Sequence, residues 1–309
     1  MRLRVLLEAR HGVTYEQLLA MARTAEEAGF DAFFRSDHYL GIEPDNPRLE
    51  PTDSWTTLAG LARETERIRL GTLVTAATFR LPGVLAITVA TVDAMSGGRA
   101  ELGLGTGWFQ REHEAYGIPF PDRGERFDRL EEQLAIITGL WKTPRGERFS
   151  FRGTHYSVDD CANFPRAGQA PHPKLIVGGT GPRRTPRLAA RFADEFNCGF
   201  PAGARERFAR FREVCEGTGR DPASVRLSVC IPVVCGRDPS EVGRRTEASG
   251  AARLLQQGVC GPPDAVVERL GALAEDGADT IYLHLYDADD TDHLRLLGDE
   301  VVRHVRPAG

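Results

Sequence analysis

Short runs rich in Val, Ile, Leu and Phe alternate along the chain with longer stretches whose apolar residues recur every three or four positions. That is the pattern of strands followed by amphipathic helices. The runs predicted as strands are Leu3–Glu8, Ala32–Ser36, Ile68–Val74, Arg99–Gly105, Lys174–Gly178, Asp194–Cys198, Arg226–Ile231 and Thr280–Leu285. Helical periodicity fills the gaps. In Tyr15–Ala28, Leu18, Leu19, Ala22 and Ala25 make one apolar face, Thr14 can cap the start and Gly29 supplies the stop. Further helices are predicted at Trp55–Glu64 behind Asp53 and Ser54, Pro82–Met95 before Ser96-Gly97-Gly98, Arg126–Trp141 behind Asp122, Arg184–Ala193, and Pro263–Glu275 before Gly277. About eight strand–helix units in succession predict parallel strands joined by right-handed crossovers, an α/β fold of the (β/α)8 TIM-barrel kind. A chain of 309 residues suits one such barrel, so residues 1–309 are expected to form a single domain.

The stretch 142–173 breaks the rhythm, being rich in Gly, Pro, aromatics and charge without a helical period. It reads as an insertion after the fourth βα unit, either a lid over the mouth of the barrel or a surface excursion. Composition narrows the classes. Net charge is −5 with both signs interspersed, which gives no basic face for nucleic acid. No segment reaches the 18 or more apolar residues of a membrane helix, and the apolar run after Met1 is cut short by Glu8, so a cytoplasmic protein is expected. The six cysteines are scattered with no CxxC pair, which argues for reduced thiols and against a zinc site.

Barrel enzymes place their chemistry where strands end, which draws attention first to Arg35-Ser36-Asp37-His38-Tyr39. His38 can shuttle a proton near neutral pH or hydrogen-bond a cofactor, or it can be plain scaffold. Glu8 and His11 stand at the matching end of the first strand. Glycines alternate in Gly103-Leu104-Gly105-Thr106-Gly107, where a ring or phosphate can approach the backbone, but Trp108 and Gln110 exclude a dinucleotide fingerprint. The loop Gly178-Gly179-Thr180-Gly181-Pro182 leads into a helix start with Arg183 and Arg184, an arrangement suited to an anion. Glu112-His113-Glu114 lacks the histidine pair of HExxH and reads as a polar loop or helix start, so no metal is expected. No nucleophile elbow or P-loop is present.

Taken together, several stretches resemble the luciferase-like monooxygenase superfamily, and within it the F420-dependent oxidoreductases. They are Ala25-Glu26-Glu27-Ala28-Gly29-Phe30-Asp31 with Ser36-Asp37-His38, Ile68-Arg69-Leu70-Gly71-Thr72, Asp93-Ala94-Met95-Ser96-Gly97-Gly98-Arg99, Leu102 to Trp108, Tyr116-Gly117, Arg126-Phe127, and Gly178-Gly179 with Ala193-Asp194. The resemblance implies a homodimeric barrel that holds coenzyme F420, or FMN as the alternative, in its mouth and acts on a small-molecule substrate. The cofactor would lie against Asp37, His38, Leu73, Val74, Thr106 and Gly107, with its phosphate near Gly178, Gly179, Thr180 and Arg183. It also implies a non-proline cis peptide at Leu73-Val74, with Val74 bulging against the rear of the ring. In the sugar-phosphate dehydrogenases of the family, a histidine matching His38 moves the substrate proton with help from a glutamate in the glycine-rich run. Trp108 stands at that position here, which speaks against a sugar phosphate and leaves the proton partner open among His38, His11, Glu8 and Tyr39. Three functions follow: an F420-dependent oxidoreductase, a reduced-FMN monooxygenase, and a cofactor-binding barrel without turnover.

Overall fold

A computed structural model describes residues 1–9, 12–41, 51–250 and 255–305; His11 lies outside the described residues. Eight parallel strands close into a barrel: β1 (Arg2–Leu7), β2 (Ala32–Arg35), β3 (Arg69–Ala76), β4 (Ala100–Gly105), then β7 (Lys174–Gly178), β8 (Glu195–Asn197), β9 (Arg226–Cys235) and β11 (Thr280–Leu285). Closure comes from the parallel pairing of β11 with both β9 and β1. A short strand, β10 (Val259–Gly261), adds to the far end of β9.

Alternation along each strand sorts the side chains. Val5, Leu7, Phe33, Val177, Val229, Ile281 and Leu283 join the shell between strands and helices. Their neighbours Leu6, Phe34, Ile176, Cys230 and Tyr282 form a separate cluster inside the barrel. Gly71 stands beside Phe34 in register, and a Cβ there would come within 2.6 Å of the Phe34 ring, so glycine in mid-strand makes room for the plug. Two residues below Leu6 on β1, Arg4 is wholly buried and donates to Glu101 at 2.7 Å, to the Tyr282 hydroxyl at 2.8 Å and to Asp31 at 2.9 Å. Burial alone would raise the Glu101 carboxyl, but Arg4 and Arg69 hold it below its ordinary value. β1 therefore reads inward as a buried ion network, an apolar plug and, at the top, Glu8.

The helices form the outer ring. α1 (Tyr15–Glu27) starts with a capping box of Thr14 and Gln17, α2 (Ser54–Glu64) is capped by Asp53, and α3 (Pro82–Met95) begins with proline. α4 (Gln110–Ala115) and α5 (Arg123–Lys142) follow β4, the latter capped by Asp122 and thus three residues longer at its start than the periodicity predicts. α6 (Arg184–Phe192), α7 (Ala204–Thr218), α8 (Pro239–Ala248), α9 (Pro263–Glu275) and α10 (Thr291–Leu297) complete the ring.

The insertion is not a lid. It holds an antiparallel hairpin of β5 (Phe149–Arg152) and β6 (Ser157–Cys161) in the connection from α5 to β7, which lies at the opposite end of the barrel from the strands' C-termini. Glu132 on α5 accepts the backbone N–H groups of Thr154, His155 and Tyr156, fixing the hairpin to the helix flank. Further on, Gln169 binds Asp93 and the Ala100 carbonyl at the start of β4. Among the described residues, none from 142–173 reaches the cavity at the mouth.

Candidate active site

A cavity of about 590 Å³ opens at the C-terminal ends of the strands. It is large enough for a tricyclic ring and a small partner, given that small-molecule sites commonly measure ~300–1,000 Å³. Of the positions expected to line it, Glu8, Asp37, His38, Leu73, Val74, Thr106, Gly107, Gly178, Gly179 and Thr180 all do. Arg183 does not; it precedes α6 as an exposed residue whose side chain makes no cap bond. Arg184 also turns away, bound to Asp128 on α5 at 2.5 Å. Among the described residues, the arginines on the wall are instead Arg123 and Arg126 from the start of α5.

The Leu73-Val74 peptide is cis, and the β3–β4 register shifts between Thr72 and Thr75. Val74 projects into space that glycines leave open. A Cβ on Gly178 would sit 2.8 Å from Val74 Cγ1, one on Gly105 2.9 Å from Cγ2, and one on Gly103 3.0 Å from Cγ1. The alternating glycines of β4 thus clear a seat for the valine bulge, and the valine in turn forms the cavity wall.

His38 is anchored by a residue that the sequence pattern does not single out. Its Nδ1 lies 3.1 Å from Glu112 Oε2, on a carboxylate only 1% exposed. The other carboxylate oxygen accepts the backbone N–H of Tyr39 and, at 3.0 Å, that of Leu40. One buried group therefore fixes both the ring and the loop that carries it, and Nε2 is the nitrogen left for a ligand. Trp108 meets the His38 ring edge-on at 5.7 Å and stacks on Phe109 at 5.2 Å, while remaining 60% exposed at the mouth.

Asp37 is committed to a buried network. It accepts from Thr75 Oγ1 at 2.7 Å and Arg80 Nη1 at 2.6 Å, and Arg80 also reaches Asp53 and the Tyr39 hydroxyl. Burial would raise the Asp53 carboxyl, but the Thr56 N–H and Arg80 bring it down to about 2. Tyr39 leaves the set of proton partners: its hydroxyl donates to Asp53, and burial together with Asp37 pushes it far above the usual phenol value. His113 is scaffold. Its Nδ1–H donates to the Phe109 carbonyl at 2.8 Å, Nε2 meets Thr78 Oγ1 at 2.6 Å, and burial lowers its pKa, so the ring stays neutral.

At the α6 end of the cavity, Gly179 takes φ +145° and the first turn of α6 has no side-chain cap. Arg126 lines the same region with its Nε buried and without a hydrogen-bond partner. Free helix N–H groups, glycine backbone and an unpartnered guanidinium nitrogen fit the phosphate of a flavin-like cofactor, and the Val74 wall fits its ring. Among the described residues no cluster of His, Cys, Asp or Glu fits a metal.

Eight parallel strands, outer helices and a ring-sized cavity at the strands' C-terminal ends define a (β/α)8 barrel with its candidate active site at the mouth. The luciferase-like monooxygenase family model matches residues 1–304, and the chain belongs to that family. It is 36% identical over 261 residues to an F420-dependent glucose-6-phosphate dehydrogenase of Beutenbergia cavernae, covering 82% of this chain and 74% of the relative. It is 33% identical over 231 residues to an F420-dependent hydroxymycolic acid dehydrogenase of Mycobacterium tuberculosis, covering 72% and 60%. Its fold matches an F420-dependent secondary alcohol dehydrogenase solved with an F420-acetone adduct, with a TM-score of 0.85, 18% identity and 99% of both chains covered.

Proposed function

We propose that this protein is an F420-dependent oxidoreductase acting between an alcohol and its carbonyl on a neutral, apolar-bodied compound. The His38–Glu112 pair on the cavity wall is the observation that carries the reading. Bound F420 supplies the ring carbon that accepts or returns hydride. Val74 and its glycines back the ring, and Gly178 to Gly181 with Arg123 and Arg126 receive the phosphate. Glu112 keeps the proton of the neutral imidazole on Nδ1, so Nε2 takes the hydroxyl proton as the C–H hydride leaves. In the other direction the imidazolium returns that proton to the carbonyl oxygen.

The class of substrate follows from the walls. Trp108 and Phe109 face His38 with aromatic surface, and Glu8, Asp37 and Glu112 are buried carboxylates around the same floor. Arg80 is already held by Asp37 and Asp53. A phosphate dianion is repelled there, whereas an apolar body is attracted. Glucose 6-phosphate is therefore a poor substrate, although it is the substrate named for the Beutenbergia relative.

The exposed Leu81, Val84 and Ile87 form an apolar stripe at the start of α3, which fits the pairing face of a homodimer. Unpaired thiols at all six cysteines fit a reducing cytoplasm. Titration with F420 and with FMN, read by fluorescence quenching, tests the cofactor; tighter binding of FMN overturns the proposal in favour of a flavin monooxygenase. Bleaching of F420 by 1-phenylethanol but not by glucose 6-phosphate tests the substrate class, and the reverse preference overturns it. Val84→Arg should convert a dimer to a monomer in light scattering.

A further inference from the structure

A second open space lies outside the barrel, a groove of about 720 Å³ bordered by α5, α6 and α7. Arg184, Arg187 and Arg191 on α6 and Arg220 just after α7 line it, against one carboxylate, Glu131 on α5. Positions 184, 187 and 191 share one face of α6, so their guanidinium groups follow one another along the helix over roughly 10 Å at 1.5 Å per residue. Their commitments differ. Arg184 is bound to Asp128 at 2.5 Å, while Glu131 meets Arg191 at 2.9 Å and Arg184 at 3.7 Å. Arg220 donates to the Ala190 and Ala193 carbonyls, each at 2.7 Å. Arg187, between Arg184 and Arg191, is exposed and has no ion pair among the described residues. Leu188 and Val214 add apolar surface, and Gly217 leaves open space beside them.

The groove continues the wall of the mouth. On α5, Phe127 lines the mouth cavity and Glu131, one turn further, lines the groove. On α6, Thr185 lines the cavity and its neighbour Arg184 lines the groove. The Arg184 guanidinium lies over the Phe127 ring at 5.0 Å and so stands where the two spaces adjoin. On this side the cavity is bordered by Gly181, Thr185 and Arg126, the end that suits the cofactor's phosphate.

We propose that this groove binds the acidic tail of F420, the chain of γ-linked glutamates joined through lactate to the outer side of its phosphate. The inference rests on the cofactor reading above and extends it from the ring and phosphate to the tail. Guanidinium groups a helical turn apart cannot all close on one anion, whereas successive glutamates bring one carboxylate per residue with methylenes between them. Four arginines against Glu131 leave the groove positive, and Arg187 supplies charge that no carboxylate of the chain offsets. FMN ends at its phosphate and has nothing to place there, so the groove favours the deazaflavin whatever the ring contacts contribute.

Three forms of the deazaflavin test this: one ending at the lactate, one with a single glutamate and one with several. Their binding is read by fluorescence quenching, which needs no turnover. At low salt the form with several glutamates should bind about tenfold more tightly than the form without any. That gap should close at high salt, because exposed charges are screened. Arg187→Glu should abolish the gap and leave the affinity for the form without glutamates unchanged; Arg187→Lys, which keeps the charge, should retain most of it. Arg244→Glu on α8 makes the same charge change outside the groove and should leave the gap intact. Unchanged melting of each variant shows that the fold persists. Equal affinity for the three forms at low salt, a gap that survives in R187E, or its loss in R244E overturns the inference. Failure of the cofactor reading shows separately, as absence of quenching by all three forms in the wild type, and takes this inference with it.

Discussion

Gly178 and Val74 touch across the β3–β7 side of the mouth: a single methyl on Gly178 would stand 2.8 Å from Val74 Cγ1. Contacts that close force either atom to move, and Gly178 leads straight into the anion loop, so displacement there reaches the cofactor seat. Gly178→Ala should weaken F420 binding by about tenfold or more in a quenching titration. Adding Val74→Ala should recover part of that loss, because the clash disappears even though the ring wall is thinner. Equal affinity in Gly178→Ala and wild type would show that the bulge does not shape the seat.

The pair formed by His38 and Glu112 predicts two different failures. Glu112→Gln can still accept the Tyr39 and Leu40 amides, but its amide N–H can donate to His38 Nδ1 and so favours the tautomer with the proton on Nε2. Alcohol oxidation should then fall by about a hundredfold in kcat, with F420 quenching and melting little changed. Glu112→Ala should also destabilise the protein, by about 1–3 kcal/mol for each amide left buried and unpaired. His38→Asn should lose turnover as Glu112→Gln does; retained activity would return His38 to the scaffold.

Most of the barrel is legible in the sequence because its strands are short apolar runs and its long helices carry caps at Thr14, Asp53 and Asp122. What escapes is governed by contacts distant in sequence. α7 buries little more than Ala204, Phe208, Phe211 and Cys215 on a charged helix, and α8 buries Arg245, which bonds Asp290 and Asp292 far along the chain. Gly, Pro and aromatic content alone does not tell which end of the barrel an insertion covers, hence the misplaced lid. Glu112 looks like part of a polar run until folding carries it to His38, 74 positions away. The cis peptide is legible only by resemblance.

His293 sets a pH limit on stability. Burial, with Arg245 close by, lowers its pKa to about 4, and its Nε2 accepts the Cys235 N–H at 2.9 Å, which requires the neutral ring. In the unfolded chain the same imidazole titrates near its ordinary value of about 6.5. Between those two values the unfolded state binds the extra proton, so stability falls as pH drops through that window and is flat in this respect above it. The slope from this one group approaches about 1.4 kcal/mol per pH unit. Denaturant melts of the wild type from neutral pH down to pH about 4.5 should show it, and His293→Gln should flatten the curve. A wild-type stability that does not change across that range would rule out a buried neutral His293.

Trp108 is the residue on which substrate choice should turn. Its ring edge meets His38 and its face stacks on Phe109, so whatever approaches Nε2 does so along aromatic surface. Being 60% exposed, the side chain can be exchanged at little cost to folding, which makes the effect on catalysis readable. Trp108→Ala should raise KM for 1-phenylethanol by about tenfold, the loss expected of one aromatic contact, with kcat changed far less because His38 and Glu112 stay in place. Trp108→Glu should go further against apolar alcohols by placing a carboxylate beside the histidine. It should not by itself create glucose 6-phosphate oxidation, since a phosphate still meets the buried carboxylates of Glu8, Asp37 and Glu112. Rapid turnover of the sugar phosphate by the Glu variant would show that Trp108 alone, rather than the charge of the floor, excludes it.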